Sequence, residues 1–253
     1  MRIIRTLFLS LAMFFVASSA MANKVIAKYD TLLYESYKSG NMEVWVSVID
    51  LLRKDYRESN DNETLLGIIQ AQYGYIGYLL GIKDKKKARI YLSQAEINAD
   101  NLIAMEPNNA DVLALSAALM AYQIALSPLK APFIGPKSMT AINQSLELNP
   151  NSAQALLEKA NSAHYAPSMF GGNPVEAVKY YTKCIAALEQ QNGGAEPEIW
   201  IYLNAYAQLA LAQEKAEQTQ NAMRTYLHIL KIAPDFKWVA SELYPQFKRR
   251  NNL

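Results

Sequence analysis

The chain has 253 residues, 51% of them apolar, with 25 Lys and Arg, 23 Asp and Glu, and one cysteine. A single cysteine excludes an intramolecular disulfide framework, and the absence of a long basic stripe argues against nucleic-acid binding. The slight positive excess is Arg2 and Arg5, so the rest of the chain carries no net charge.

Those two arginines open a leader-like segment. Residues 6–17 are apolar, and Ser18-Ser19-Ala20-Met21-Ala22 ends in the small-x-small pattern of a cleavage site. The apolar run is shorter than the roughly 20 residues of a spanning helix. We therefore read 1–22 as a signal peptide, with an uncleaved anchor as the alternative. Asn23, not cysteine, follows Ala22, which argues against a lipid anchor. The expected location is periplasmic or secreted.

From residue 24 onward, apolar residues recur at three- and four-residue spacing between glycine and proline breaks, which reads as helix throughout. Helices end at Pro107, Pro150 and Pro234, separated by 43 and 84 residues, the latter two units of 42. The second unit is a long pair, about 63–80 and 84–105, whose register is ambiguous. After Pro234, Asp235 can cap a closing helix with Phe236, Val239, Leu243 and Tyr244 on its apolar face, and Pro245 is expected to stop it.

The pattern of packing residues resembles the tetratricopeptide repeat (TPR) family. Trp200, Leu203 and Ala207 on one helix and Ala222, Tyr226 and Ile229 on the next match best, closed by Pro234. Leu156, Ala160 and Ala163 with Ala177, Tyr181 and Cys184 form the preceding unit, and Leu113 and Ala117 with Ser138, Ile142 and Ser145 the one before. Tyr29, Leu32, Gly40, Ile49 and Leu52 fit the first unit, with Trp45 where alanine is usual. The resemblance implies an all-α, right-handed α-solenoid of about five TPR-like helix pairs plus a C-terminal capping helix. It would form one domain over 23–253, with units near 24–57, 62–106, 109–149, 151–190 and 195–233 and a cap at 235–249. A period of 42 exceeds the usual 34 or so and approaches that of HEAT arrays. The surplus sits inside units whose signatures persist, so the TPR-like reading is preferred.

Part of that surplus forms two long turns, 127–137 and 165–174, each joining the two helices of a pair. In a stacked array such turns share one edge. Phe133, Tyr165, Met169 and Phe170 are too apolar for solvated linkers, and Gly171-Gly172 permits a tight backbone before Asn173 as N-cap and Pro174 at the first helical position. The second turn resembles an aromatic-Gly-Gly turn of some exported bacterial TPR-like proteins. These residues either seal the edge by packing on each other or frame a partner site.

No metal-ligand spacing, phosphate loop or nucleophile elbow is present, and the only histidines, His164 and His228, fall in different units. Cys184 reads as a buried structural thiol and His164 as a hydrogen-bonded structural histidine. The TPR resemblance implies that the first helix of each pair lines a concave groove, here with Tyr122, Gln154, Leu157, Asn161 and His164, a nearly uncharged set. Tyr73, Tyr75 and Tyr78 cluster on one helix, as core filler or as groove surface. The expectation is a non-enzymatic scaffold without cofactor or metal. It would bind a protein or peptide of the cell envelope through that groove and the turn edge. The alternative is a small-molecule-binding accessory subunit of a periplasmic transport system, with an enclosed apolar pocket near Tyr165, Phe170 and Phe133.

Overall fold

The computed structural model describes residues 29–253, and among these the chain is all-helical, with no strand. The leader assigned to 1–22 lies outside the described residues. Helix α1 covers 29–39, and the next are α2 (Met42–Ser59), α3 (Asn62–Gly81), α4 (Lys85–Met105), α5 (Ala110–Leu126) and α6 (Ala131–Leu148). Helices α7 (Ala153–Tyr165), α8 (Pro174–Gln191), α9 (Trp200–Lys215), α10 (Thr219–Ile232) and α11 (Tyr244–Asn251) complete the chain.

Side-chain caps set many of the starts. Asp61 accepts from the Thr64 N–H, Asp84 from Lys87, Asn109 from Asp111 and Val112, and Ser152 from Ala155. Each satisfies donors that the first turn leaves without an intrahelical partner. Asn173 caps α8 through Val175 and Glu176, with Pro174 in the first turn, where its missing N–H costs nothing.

Short connections make consecutive helices antiparallel, and the bonds between them run accordingly. Ser138 and Ser145 of α6 donate to the carbonyls of Ala117 and Ala110 in α5, at 2.9 and 2.6 Å. Tyr75 of α3 meets Tyr91 of α4 edge to face, and Asn98, two turns later in α4, donates to Gln72, one turn earlier in α3. The turns therefore alternate between two edges. On the first edge lie the α1–α2, α3–α4, α5–α6, α7–α8 and α9–α10 turns.

The odd-numbered helices also touch one another. Ser152 at the start of α7 donates to Asp111 at the start of α5, Asn161 of α7 reaches the Tyr73 hydroxyl of α3, and Tyr165 donates to Gln208 of α9. The first hairpin closes on the last. Tyr37 of α1 donates to Asn204 of α9 at 3.0 Å and packs on Trp200 and Phe236. Trp45 of α2 meets Trp200 edge to face with centroids 5.1 Å apart. Gly74 makes room for this contact, since a Cβ there would lie 2.5 Å from the Trp45 ring and 3.0 Å from Trp200.

Two expectations about breaks are corrected. The turn expected over 127–137 contracts to 127–130, because α6 begins at Ala131 and carries Pro132 in its first turn. Pro136 lies inside the helix and removes one intrahelical bond, the one its N–H would have made to the Pro132 carbonyl, without ending the helix. Pro245 does not stop the last helix, which runs on to Asn251. A π turn, Val239–Leu243, widens the helix just ahead of it, where the proline ring would otherwise meet the carbonyl of Ser241.

Candidate partner-binding surfaces

The residues assigned to a concave groove turn out to be interior. Leu157 is fully enclosed, His164 is buried, and Tyr122 is half-buried, stacked on Tyr73 and donating to its carbonyl. Asn161 is half-buried and fully engaged, donating to Tyr73 and Glu158 and accepting from Tyr181 at 2.7 Å. The contacts that enclose them come from neighbouring helices: Tyr73 of α3 against Tyr122 and Asn161, Tyr181 of α8 against Asn161 and His164, and Lys215 of α9 at the His164 carbonyl.

At the middle of this interior is Glu158, 4% exposed. Gln154 donates to one of its oxygens at 2.8 Å and Asn161 to the other at 3.1 Å, and Tyr73 also hydrogen-bonds it. No ion pair reaches Glu158 among the described residues. Burial pushes its carboxyl up to about 7, against the opposing pull of the three hydrogen bonds. Burial also drives the thiol of Cys184 upward, which fits an inert structural cysteine. His164 is held down to about 4 by burial and by Lys215, whose ammonium donates to the His164 carbonyl. Its Nδ1 has no hydrogen-bond partner, so His164 is buried as expected but not as the expected hydrogen-bonded histidine. Among the described residues no three metal-ligating side chains come together.

Among the exposed apolar side chains, several of the most exposed lie on the first edge. Phe133 is 76% exposed, Met169 83% and Phe170 56%, and Tyr165 is exposed beside them in sequence. Sealing of the edge by these residues is therefore corrected. With 131–137 taken up by α6, too little free chain remains to fold back, and the Ser168–Phe170 turn points its side chains outward. The enclosed apolar pocket expected near Tyr165, Phe170 and Phe133 fails on the same grounds. The glycines behave as expected. Gly171 sits at φ +89°, and a Cβ on Gly172 would fall 1.9 Å from the Ala166 carbonyl oxygen. Gly172→Ala should force the turn open and cost about 1–3 kcal/mol, read as a lower thermal midpoint with unchanged helical content.

A second feature of the first edge was not anticipated as a site. The α1–α2 and α3–α4 turns border an open recess of about 560 Å³, lined by Met42, Tyr75, Tyr78, Leu79 and Ile82 and by the charged Glu43, Asp84 and Lys87. Tyr78 and Ile82 are exposed, Tyr75 is buried against Tyr78 and Tyr91, and Lys87 lies 5.3 Å over the Tyr75 ring. The tyrosine cluster was the available sequence signal. The contribution of Met42 and Ile82 depends on how two hairpins meet and had none.

Comparison with protein-family models finds no match, and no curated protein matches the chain. The assignment of these surfaces therefore rests on geometry alone.

Proposed function

We propose that the protein is a non-enzymatic, exported scaffold, a TPR-like α-solenoid whose first edge binds a protein or peptide partner. The observation carrying this reading is the open recess of about 560 Å³ between the α1–α2 and α3–α4 turns, with exposed Tyr78 and Ile82 on its wall. An open cleft with tyrosine at its mouth suits side chains of a polypeptide. Small molecules favour concave sites that enclose most of their surface. Helical pairs packed in chain order support the repeat reading, as does the final helix packed on the last pair through Phe247 on Tyr226 and Arg250 on Glu214.

Affinity capture from a cell-envelope extract tests the assignment. Tyr78 and Ile82 are exposed, so the double variant Tyr78→Ala/Ile82→Ala should keep its melting temperature while recovery of a specific partner falls about tenfold or more. Leu148→Ala, on the opposite edge, should recover that partner as wild type does. Equal recovery by all three proteins would remove the recess from consideration.

A further inference from the structure

The apolar side chains of the α5–α6 and α7–α8 turns stand apart from the recess and have a different character. Leu129 is 93% exposed, and together with Phe133, Met169 and Phe170 it projects from the end of the helix pairs. Side chains that protrude this far have almost no protein around them. Hot spots of protein interfaces usually lie in packed, flat or concave surroundings, whereas protruding apolar side chains suit insertion into a deformable lipid boundary.

Charge points the same way. Lys130 and Lys137 flank Leu129 and Phe133, and no Asp or Glu occurs over 112–146 or 159–175. Arg89 of α4 donates to the Leu126 carbonyl at 2.7 Å, which fixes the start of α4 against the α5–α6 turn. Lys83, Lys85 and Lys86 thereby lie on the same edge. All five lysines are free of ion pairs among the described residues, while the nearby Asp84 carboxylate is engaged in capping α4. An edge with free lysines and apolar tips sits on a chain whose net charge is close to zero.

We propose that this part of the first edge docks on an anionic phospholipid surface, with Leu129, Phe133, Met169 and Phe170 entering the interface and the five lysines meeting lipid phosphates. The attachment proposed for this edge is peripheral, made by exposed side chains at helix ends; no helix among the described residues is long and apolar enough to cross a membrane. The proposal goes beyond partner binding at the recess and uses different side chains, so either can fail alone.

Co-sedimentation of the purified protein with vesicles tests it. Vesicles of phosphatidylcholine mixed with phosphatidylglycerol should carry the protein down at low salt, and phosphatidylcholine alone should carry much less. Phe133→Ala/Phe170→Ala should weaken binding to the mixed vesicles by about tenfold or more, because two apolar anchors are lost. Lys130→Gln/Lys137→Gln should weaken it by roughly fivefold per lysine and flatten its salt dependence. These side chains are exposed, so unchanged melting temperatures will establish that each variant is folded. Absence of sedimentation with the mixed vesicles overturns the proposal, and so does sedimentation indifferent to the Phe133→Ala/Phe170→Ala change. A photo-crosslinker at position 133 that traps a polypeptide, from a protein that does not bind vesicles, would assign the patch to a protein partner instead.

Discussion

Trp200→Ala should be among the most damaging single truncations in the chain, costing about 3–5 kcal/mol through lost aromatic burial and the cavity left behind. For a cooperative unit of this size that corresponds to a fall of roughly 6–20 °C in melting temperature. Trp200 is buried at the first turn of α9 and contacts the rings of Tyr37, Trp45 and Tyr73. It therefore joins the last hairpins to α1, α2 and α3. Its loss should be felt at a distance, with faster amide exchange over 29–39 as well as in α9. Trp200→Phe should retain a large part of the stability. Leu148→Ala, on the exposed opposite edge, should shift it by less than about 0.5 kcal/mol. A nearly unchanged melting temperature for Trp200→Ala would mean that the two ends of the chain are not joined as described.

That closing contact also marks where sequence reading ran out. Helix identity was legible because apolar spacing is local, and so were starts such as Asn173-Pro174, where cap and proline carry their own geometry. Trp200, Leu203, Ala207, Tyr226 and Cys184 were legible as packing residues, and all are buried. What no local pattern reveals is how far the array curves. Leu157 and His164 occupy positions that an open groove would present, yet both are buried, His164 against Tyr181 of α8 and beside Lys215 of α9. The role of Gly74 follows from the closing contact of Trp45 with Trp200 and is invisible without it. The misread turn at 127–137 has another cause. Three prolines and a glycine signal a loop, but Pro128 opens a short 3-10 turn, Pro132 sits in the tolerant first turn of α6, and the helix runs on through Pro136 at the loss of one bond.

Glu158→Gln should stabilise the protein above neutral pH and have little effect near pH 4. The Glu158 carboxyl titrates near 7 in the folded chain against an ordinary value of 4.5. Between those values the folded chain holds a proton that the unfolded chain has released, so this group's contribution to stability falls as pH rises through the window. The full difference is about 3 kcal/mol. Glutamine keeps an acceptor for Asn161 or Tyr73, and its amide N–H can be taken up by the Gln154 Oε1, which has no partner in the wild type. Two other groups act in overlapping windows. Asp30, raised to about 6 by burial, adds a loss of the same sign between its ordinary 3.8 and 6. His164, lowered from 6.5 to about 4, contributes the opposite slope, because the unfolded chain binds its proton first. The wild-type profile mixes all three, whereas the difference between Glu158→Gln and wild type isolates the carboxyl. That difference should grow from pH 4.5 to 7.5 in chemical denaturation. A difference independent of pH would show that Glu158 is not held uncharged by its surroundings.

The enclosed interior and the exposed first edge together shape the functional argument. Tyr122, Leu157, Asn161 and His164 serve the interior, and the proposed recognition surface lies instead at the turns of the first edge. Site-specific photo-crosslinking in intact cells tests that division most directly, with the crosslinker placed in turn at Ile82 in the recess and at Leu148 on the opposite edge. A discrete polypeptide adduct from position 82, absent from position 148, is the predicted result. Adducts from position 148 alone, or the same adducts from both, would contradict it.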